Sequence, residues 1–173
     1  MGTQSLPPAA RPPTIEDLKR IGRALNTAHA RYLIIGGFAV NYYGFTRATE
    51  DLDLLIAPDP DNIERVKQAL CVLSDQAAKD LTAADFSRYA VIRVVDEITV
   101  DLLIKAGEVT YESAKPVPVT LDDVTLPVAS LQTLIETKPG VRERDQLDRA
   151  YLLRLLAEQA EAHRKQSPPE EAR

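Results

Sequence analysis

The chain has 173 residues, of which 45% are apolar, so it is long and apolar enough to fold as one globular domain. Its formal net charge of −5 argues against a general nucleic-acid binder, although positive side chains can still cluster around one site. With a single cysteine, Cys71, and no apolar run approaching ~20 residues, we expect no internal disulfide, no membrane partner and a cytoplasmic location.

Proline content and apolar spacing predict how the chain is divided. Residues 1–13 contain four prolines and no periodic apolar pattern, which is typical of a flexible N-terminal arm. Thr14 is a good N-cap for a helix whose buried face, from helical spacing, is predicted to comprise Ile15, Leu18, Ile21 and Leu25. We place the core at residues 14–128, C-terminal helices at 129–163 and a flexible tail at 164–173.

A glycine pair ends the first apolar strand. Tyr32 to Ile35 is predicted as a strand, and Gly36 and Gly37 then let the backbone turn sharply and approach a ligand, because no Cβ stands in the way. The next residues, to Tyr43, favour a short helix whose first N–H groups would face a phosphate near the glycines. The pair alone also fits a plain turn between a strand and a helix.

Two carboxylates open the second strand, DLDLLI. Because side chains in a strand alternate with a period of two, Asp51 and Asp53 share one face, and the opposite face is apolar. The apolar face can enter a core, whereas the acidic face requires solvent or a cation. A D-x-D pair by itself is also common on exposed strands.

The rest of the chain is predicted to be scaffold, with one exception in its second hairpin. The first predicted elements are a helix from Pro58–Asp59 to about Leu73, a short helix or loop over 75–87, and a hairpin of Tyr89–Val95 and Ile98–Ile104. An edge strand or extended loop over 107–128 is then predicted to lead to a final short strand. Two helices follow, from Ser130 to about Thr137 and from Asp145 to about His163, with Pro139 and Gly140 between them. The exception is Asp101, which interrupts the apolar strand ITVDLLI. A carboxylate buried there without a partner would be costly, so Asp101 is either functional or turned to solvent on an edge strand.

Three carboxylates on two strands suggest a metal site. If the strands are neighbours in one sheet, Asp51, Asp53 and Asp101 converge on one spot. Oxygen ligands with this charge suit Mg²⁺ or Mn²⁺, which also take ligands from substrate phosphates. Two such ions can activate an attacking oxygen and stabilise a departing pyrophosphate.

The ordered set of these residues resembles the DNA polymerase β-type nucleotidyltransferase superfamily, and within it the small bacterial proteins related to the AbiEii toxin group. The residues that carry the resemblance are Gly36-Gly37, Tyr43-Gly44, Arg47-x-Thr49-x-Asp51-x-Asp53, and Asp101 in an apolar strand. The resemblance implies an α+β fold with a mixed, mostly antiparallel sheet flanked by helices, and a C-terminal helical segment that completes the nucleotide cleft.

The resemblance also assigns roles to individual residues. By position, it implies that Asp51, Asp53 and Asp101 are catalytic metal ligands, and that Asp101 is the base for the acceptor hydroxyl. Nucleotide binding falls to a second set, Gly36, Gly37, Arg47, Thr49 and Lys138. Lys138 belongs to a second match, in which a lysine precedes an R-x-K-D-x-x-D pattern; here that pattern reads Arg142, Arg144, Asp145 and Asp148, with Arg144 in place of the more usual lysine.

These roles predict an Mg²⁺-dependent enzyme (Mn²⁺ being the alternative ion) that transfers a nucleoside monophosphate from an NTP to a hydroxyl. The AbiEii resemblance implies a toxin with a tRNA end or a protein side chain as acceptor, and a cognate antitoxin as partner. Arginines of the last helix, with Arg142 and Arg144, are candidates for a local RNA-binding patch. Two alternatives stay open: an antibiotic-type nucleotidyltransferase with a small-molecule acceptor, and a non-catalytic nucleotide-binding partner protein.

Overall fold

The structure is a computed structural model that describes residues 9–138, 140 and 142–166. Within these ranges the elements follow in the order α1 (Ile15–Thr27), β1 (Tyr32–Ile34), α2 (Gly36–Tyr42), β2 (Asp51–Ile56), α3 (Pro60–Leu70), a 3₁₀ turn (Ala77–Asp80), α4 (Ala83–Arg88), β3 (Val91–Val95), β4 (Thr99–Leu103), β5 (Lys105–Ala106), β6 (Val109–Thr110), β7 (Pro116–Leu121), β8 (Val124–Ala129), α5 (Leu131–Glu136) and α6 (Glu143–Gln166). No helix in the described ranges is long and apolar enough to cross a membrane.

A six-stranded mixed sheet with the order β3-β4-β2-β1-β8-β7 organises the fold. The pairs β3/β4, β2/β1 and β8/β7 are antiparallel, whereas β4/β2 and β1/β8 are parallel. α1 packs against α3 and β8, and α5 packs against α6 and β8. This arrangement confirms the predicted α+β fold class, with a mostly antiparallel sheet, flanking helices and a C-terminal helical segment.

The position of β2 in the middle of the sheet explains why its sequence becomes continuously apolar after Asp53. Leu54, Leu55 and Ile56 of β2 are all fully buried, although Leu55 points to the opposite face from its two neighbours. A strand between two others, with helices packed on the sheet, is covered on both faces beyond its first residues. The polar face of β2 is therefore confined to its start, at Asp51 and Asp53.

The capping of α1 agrees with the sequence, but one residue of its predicted buried face is wrong. The Thr14 side chain accepts a hydrogen bond from the N–H of Asp17, and the Asp17 carboxylate accepts one from the N–H of Thr14, which forms a capping box. Leu18, Ile21 and Leu25 are buried. Ile15 is 52% exposed, because it borders an open cavity in the first turn of the helix instead of the core.

The described part of the predicted N-terminal arm, residues 9–13, lies against the turn between β3 and β4. The N–H of Arg11 donates to the carbonyl of Glu97 at 3.0 Å, and its guanidinium binds Asp17 at 2.6 Å. Pro13 is buried. The remaining residues of the arm, 1–8, are outside the described ranges, so the structure tests their predicted flexibility no further.

Several element boundaries differ from the predictions. α3 ends at Leu70, the ambiguous stretch 75–87 contains the 3₁₀ turn and α4, and β8 is a full six-residue strand between β1 and β7. α6 continues to Gln166, into the first residues of the predicted tail. Pro139 and residues 167–173 lie outside the described ranges.

Candidate active site

The three predicted catalytic carboxylates lie on adjacent parallel strands. β2 and β4 pair in register, with Asp53 opposite Asp101 and Asp51 opposite Thr99. Paired residues on neighbouring strands point to the same face, about 4.8 Å apart in the hydrogen-bonding direction. Asp101 is only 6% exposed, and β4 lies between β3 and β2, which excludes the alternative of an edge-strand aspartate turned to solvent.

The glycine turn packs directly against this row. Gly36 has a φ of +64°, and a Cβ there would lie 1.9 Å from Oδ2 of Asp53. A Cβ on Gly37 would lie 2.6 Å from the Thr49 hydroxyl. Neither position has room for a side chain, so both glycines are required by the close approach of β1, α2 and the loop before β2.

Thr49 is placed behind the turn and not in the cleft. Its hydroxyl donates to the carbonyl oxygen of Asp51 at 2.9 Å and packs on Gly37. It lines a separate, largely apolar cavity of ≈ 660 Å³ on the far side of the loop. The other seven predicted site residues line one cleft of ≈ 820 Å³. Thr49 thus supports the turn and the acidic strand from behind.

Arg93 is a site residue that the sequence reasoning missed. It lies on β3 opposite Asp101, and its Nε and Nη2 donate to both oxygens of that carboxylate at 2.8 and 2.7 Å. Nη2 also reaches Oδ2 of Asp51 at 3.1 Å. The signal in the sequence was the outward-facing arginine of the hairpin strand next to Asp101, whose importance depends on the register of the hairpin.

Asp53 has no such cation in hydrogen-bond contact among the described residues. Its burial, followed by the negative charges of Asp51 and Asp101, raises the pKa of Asp53 to about 6. The N–H of Gly37 and the charge of Lys138 act in the opposite direction but do not balance these effects. The inner end of the carboxylate row is therefore electrostatically under-compensated.

A second buried carboxylate, Asp148 of α6, organises the cationic side of the cleft. Arg47 donates from Nε and Nη2 to its two oxygens at 3.0 and 2.9 Å, and the Lys138 ammonium lies 2.7 Å from its Oδ2. Asp148 is fully buried. Burial raises its pKa, but the hydrogen bonds from Arg47 and Lys138 outweigh this and hold the pKa below its usual value.

Arg47 is also held through its backbone. Asn41 of α2 accepts from the Arg47 N–H at 3.0 Å and donates to the Arg47 carbonyl at 2.9 Å. The Arg47 guanidinium binds Asp148 and makes no ion pair with Glu50 or Asp51 among the described residues. Asn41 and Asp148 were not predicted as functional, although Asp148 is the last residue of the matched C-terminal pattern.

The cleft has acidic and basic walls. Among the residues that line it, Asp51, Asp53 and Asp101 are called here the acidic wall, and Lys138, Arg142 and Arg144 the basic wall. The predicted arginine patch is divided: Arg149 donates to the carbonyl of Ile135 at 2.7 Å, and Arg154, 73% exposed, pairs with Glu158. Only the first part of the patch faces the cleft.

The carboxylate row fits a hard divalent cation in charge and donor type, since it offers carboxylate oxygens and one under-compensated buried charge. In the described residues, however, no three acidic, histidine or cysteine side chains are arranged as a metal-binding group. Arg93 uses both oxygens of Asp101 and one of Asp51, so a cation from the protein already neutralises two of the three carboxylates.

Comparison with known proteins informs the fold and the family of this chain. No match was found among curated proteins. Among solved structures, an antigenic nucleotidyltransferase-like protein from Paracoccidioides brasiliensis is similar in fold, with a TM-score of 0.54 and 16% identity over 83% of this chain and 78% of that chain. At this identity the likeness concerns the fold alone.

The sequence profile of the family described as "Nucleotidyl transferase AbiEii toxin, Type IV TA system" matches residues 19–138, which is more than half of the chain. The matched segment contains the glycine turn, the D-x-D strand, Asp101 and Lys138. The resemblance inferred from the sequence is therefore confirmed. The chain belongs to the AbiEii nucleotidyltransferase toxin family and is a nucleotidyltransferase.

Proposed function

We propose that this nucleotidyltransferase uses Mg²⁺, or Mn²⁺ in its place, to transfer a nucleoside monophosphate from an NTP to a hydroxyl acceptor. The observation that carries the proposal is the register of β2 and β4, which brings Asp53 beside Asp101 with Asp51 on the same face. These carboxylates open into a cleft that also contains the glycine turn and three cationic side chains. Carboxylates suited to metal ions and cationic side chains suited to phosphate therefore line the same cleft.

In this proposal, Asp51, Asp53 and Asp101 would hold the metal ions. When bound, the ions would polarise the α-phosphate and stabilise the negative charge of the departing pyrophosphate. Asp101 accepts the proton of the acceptor hydroxyl. The hydroxyl oxygen then forms a bond to the α-phosphorus while the bond between the α-phosphorus and the pyrophosphate oxygen breaks. Asp53 is partly buried, and this partial desolvation strengthens electrostatic interactions at its end of the row.

The phosphates of the NTP would lie between the glycine turn and the basic wall. Gly36 and Gly37 present backbone without side chains, which permits close approach, and Lys138, Arg142 and Arg144 supply positive charge. The contacts of Arg47 favour an indirect role, because its guanidinium orients Asp148, which in turn orients Lys138. Thr49 would support Gly37 from behind.

The acceptor we propose is a tRNA end or a protein side chain, with the protein acting as the toxin of a toxin–antitoxin pair in the cytoplasm. The name of the family, which describes a type IV toxin–antitoxin system, supports this choice and a cognate antitoxin. Arg142 and Arg144 at the mouth of the cleft support an acceptor that carries phosphate.

One observation favours a small-molecule acceptor as the second candidate. The largely apolar cavity of ≈ 660 Å³ meets the nucleotide cleft at Arg47, and its walls include Ile34, Phe38 and Leu126. Its volume is in the range of small-molecule sites. An acceptor with an apolar ring system would suit this cavity better than an RNA end would.

The test is a transfer assay with each of the four α-labelled NTPs, Mg²⁺ and total bacterial RNA. We expect label in RNA or in protein for the wild type, none for Asp53→Ala, and wild-type labelling for Asp80→Ala, which removes an exposed aspartate outside the cleft. Label that stays entirely in NTP for all three proteins would contradict the RNA and protein acceptors. Two alternatives would then remain, an enzyme with a small-molecule acceptor and a non-catalytic partner protein. An assay of NTP turnover with a panel of small hydroxyl compounds distinguishes them, because only the enzyme would consume NTP.

A further inference from the structure

Arg93 joins two of the three acidic residues through the oxygens that a metal ion would need. Both oxygens of Asp101 accept from it at 2.8 and 2.7 Å, and Oδ2 of Asp51 accepts at 3.1 Å. Bidentate pairs of arginine and carboxylate are among the stronger hydrogen-bonded ion pairs. A carboxylate oxygen directed at a guanidinium is not free to coordinate a divalent cation in the same orientation.

We propose that Arg93 is an internal counter-ion that competes with the divalent metal ion for Asp51 and Asp101, so that metal binding requires its guanidinium to leave. The inference rests on the proposed metal-dependent function. In the metal-free protein, Arg93 neutralises carboxylates that would otherwise repel each other. In the metal-bound protein, the metal ion takes over that task.

The position of Arg93 allows it to leave. Its strand, β3, is the edge of the sheet, and the side chain is 58% exposed. Besides the main cleft, Arg93 lines a second cavity of ≈ 340 Å³ on the other side of Asp51, together with Glu50, Thr99 and Pro12. The guanidinium therefore has an adjacent space, with another carboxylate at its wall, into which it can rotate.

Asp53 provides the asymmetry that makes the exchange favourable for a metal ion. Arg93 makes no hydrogen bond to Asp53 within the described residues, and this partly buried carboxylate lies against the glycine turn, away from the edge strand. A guanidinium on the edge strand neutralises the outer two carboxylates, whereas a divalent ion that contacts all three would also neutralise the inner one. A purely structural ion pair would not predict any effect of Arg93 on metal affinity.

The test measures Mn²⁺ binding to the full chain without nucleotide, by titration calorimetry and by the loss of the free Mn²⁺ electron paramagnetic resonance signal. We expect Arg93→Gln to lower the dissociation constant for Mn²⁺ by at least about tenfold, because a full positive charge in contact with two ligands is removed. Arg93→Lys keeps the charge but loses the bidentate contact, so its effect should be smaller. In EDTA, Arg93→Gln should melt below the wild type.

The matched control is Arg23→Gln, which removes another arginine bound to an aspartate, Asp123, at the surface outside the cleft. Its Mn²⁺ affinity should equal that of the wild type. If the wild type binds Mn²⁺ and Arg93→Gln binds it equally or more weakly, the competition is overturned and the proposed metal-dependent function stands. If neither protein binds Mn²⁺ without nucleotide, the competition is overturned, and the transfer assay with and without Mg²⁺ decides the metal-dependent function separately.

Discussion

At the scale of single residues, the partly buried Asp53 and the fully buried Asp148 differ in the charges around them. Asp53 lies beside two other negative charges, which together with its burial raise its pKa to about 6. Asp148 lies between Arg47 and Lys138, which hold its pKa below the usual value despite its burial. The first is arranged to accept a cation, and the second already has its cations. The difference is consistent with a ligand-binding role for Asp53 and a positioning role for Asp148.

The pairing of Asp148 predicts a pH-dependent contribution to stability. Because its folded pKa is lower than the value of 3.8 for an ordinary aspartate, its stabilising effect is full above about pH 4 and is lost as pH falls through the folded pKa. Asp148→Asn should lower the free energy of unfolding at pH 7 by about 3 kcal/mol, since it takes the closest anion from the buried Lys138 and the partly buried Arg47. Urea titrations should show this difference unchanged from pH 8 to pH 5 and shrinking below pH 4. A difference that grows towards acid pH would contradict the ion-pair explanation.

At the scale of secondary-structure elements, α6 has two parts with different functions. Its first half carries Asp148 and the fully buried Leu152, and it packs against α5. From Ala157 to Lys165 the described side chains are exposed. Only the first half therefore contributes to the cleft, and Leu152, one turn after Asp148, packs into the hydrophobic core.

This division predicts that the end of α6 is dispensable for folding. A chain that ends at Glu158 keeps the Arg154–Glu158 pair and should lose less than about 1 kcal/mol in the free energy of unfolding, because the described side chains that it removes are exposed. Leu152→Ala, in contrast, should cost about 2–5 kcal/mol. Denaturant unfolding of both variants beside the wild type makes the comparison. A large loss on truncation would mean that the exposed half contributes to the fold.

At the scale of the whole molecule, the net charge is negative, but the cleft is lined by side chains of both charges. The chain carries −5 overall, yet the described lining of the nucleotide cleft includes four acidic and six basic residues. An NTP without metal would meet both signs, whereas an NTP with its metal ions would match both walls. Nucleotide and metal are therefore expected to bind together more favourably than either does alone.

Cooperative binding of metal and nucleotide predicts that the two ligands together raise the melting temperature of the protein. Millimolar Mg²⁺ with NTP should raise the melting temperature of the wild type by at least about 3 °C, the shift expected when ligand well above its dissociation constant stabilises a domain of this size. The gain should be absent in Asp53→Ala and retained in Asp80→Ala. Differential scanning fluorimetry with and without EDTA measures it. An unchanged wild-type melting temperature would favour a partner protein that acts without metal and nucleotide.

The sequence by itself determined the elements and the faces of their residues. Strand alternation places Asp51 and Asp53 on one face, the capping residues mark the start of α1 and α5, and the glycine pair marks the turn. These features depend on residues a few positions apart, which is the range over which backbone periodicity, caps and turns act. The ordered motifs also identified the family. The assignment of each residue to metal or nucleotide remains a prediction.

Only the tertiary structure decided which distant residues meet. The pairing of β2 with β4, the hairpin register that places Arg93 opposite Asp101, and the contact of Asp148 with Arg47 and Lys138 depend on packing between elements far apart in the chain. Ile15 is a further example, because its helical spacing predicted burial but no neighbouring element of the described chain covers it, and it is exposed. Local patterns define the face on which a side chain lies, whereas burial and ion pairing depend on what the rest of the fold brings to that face.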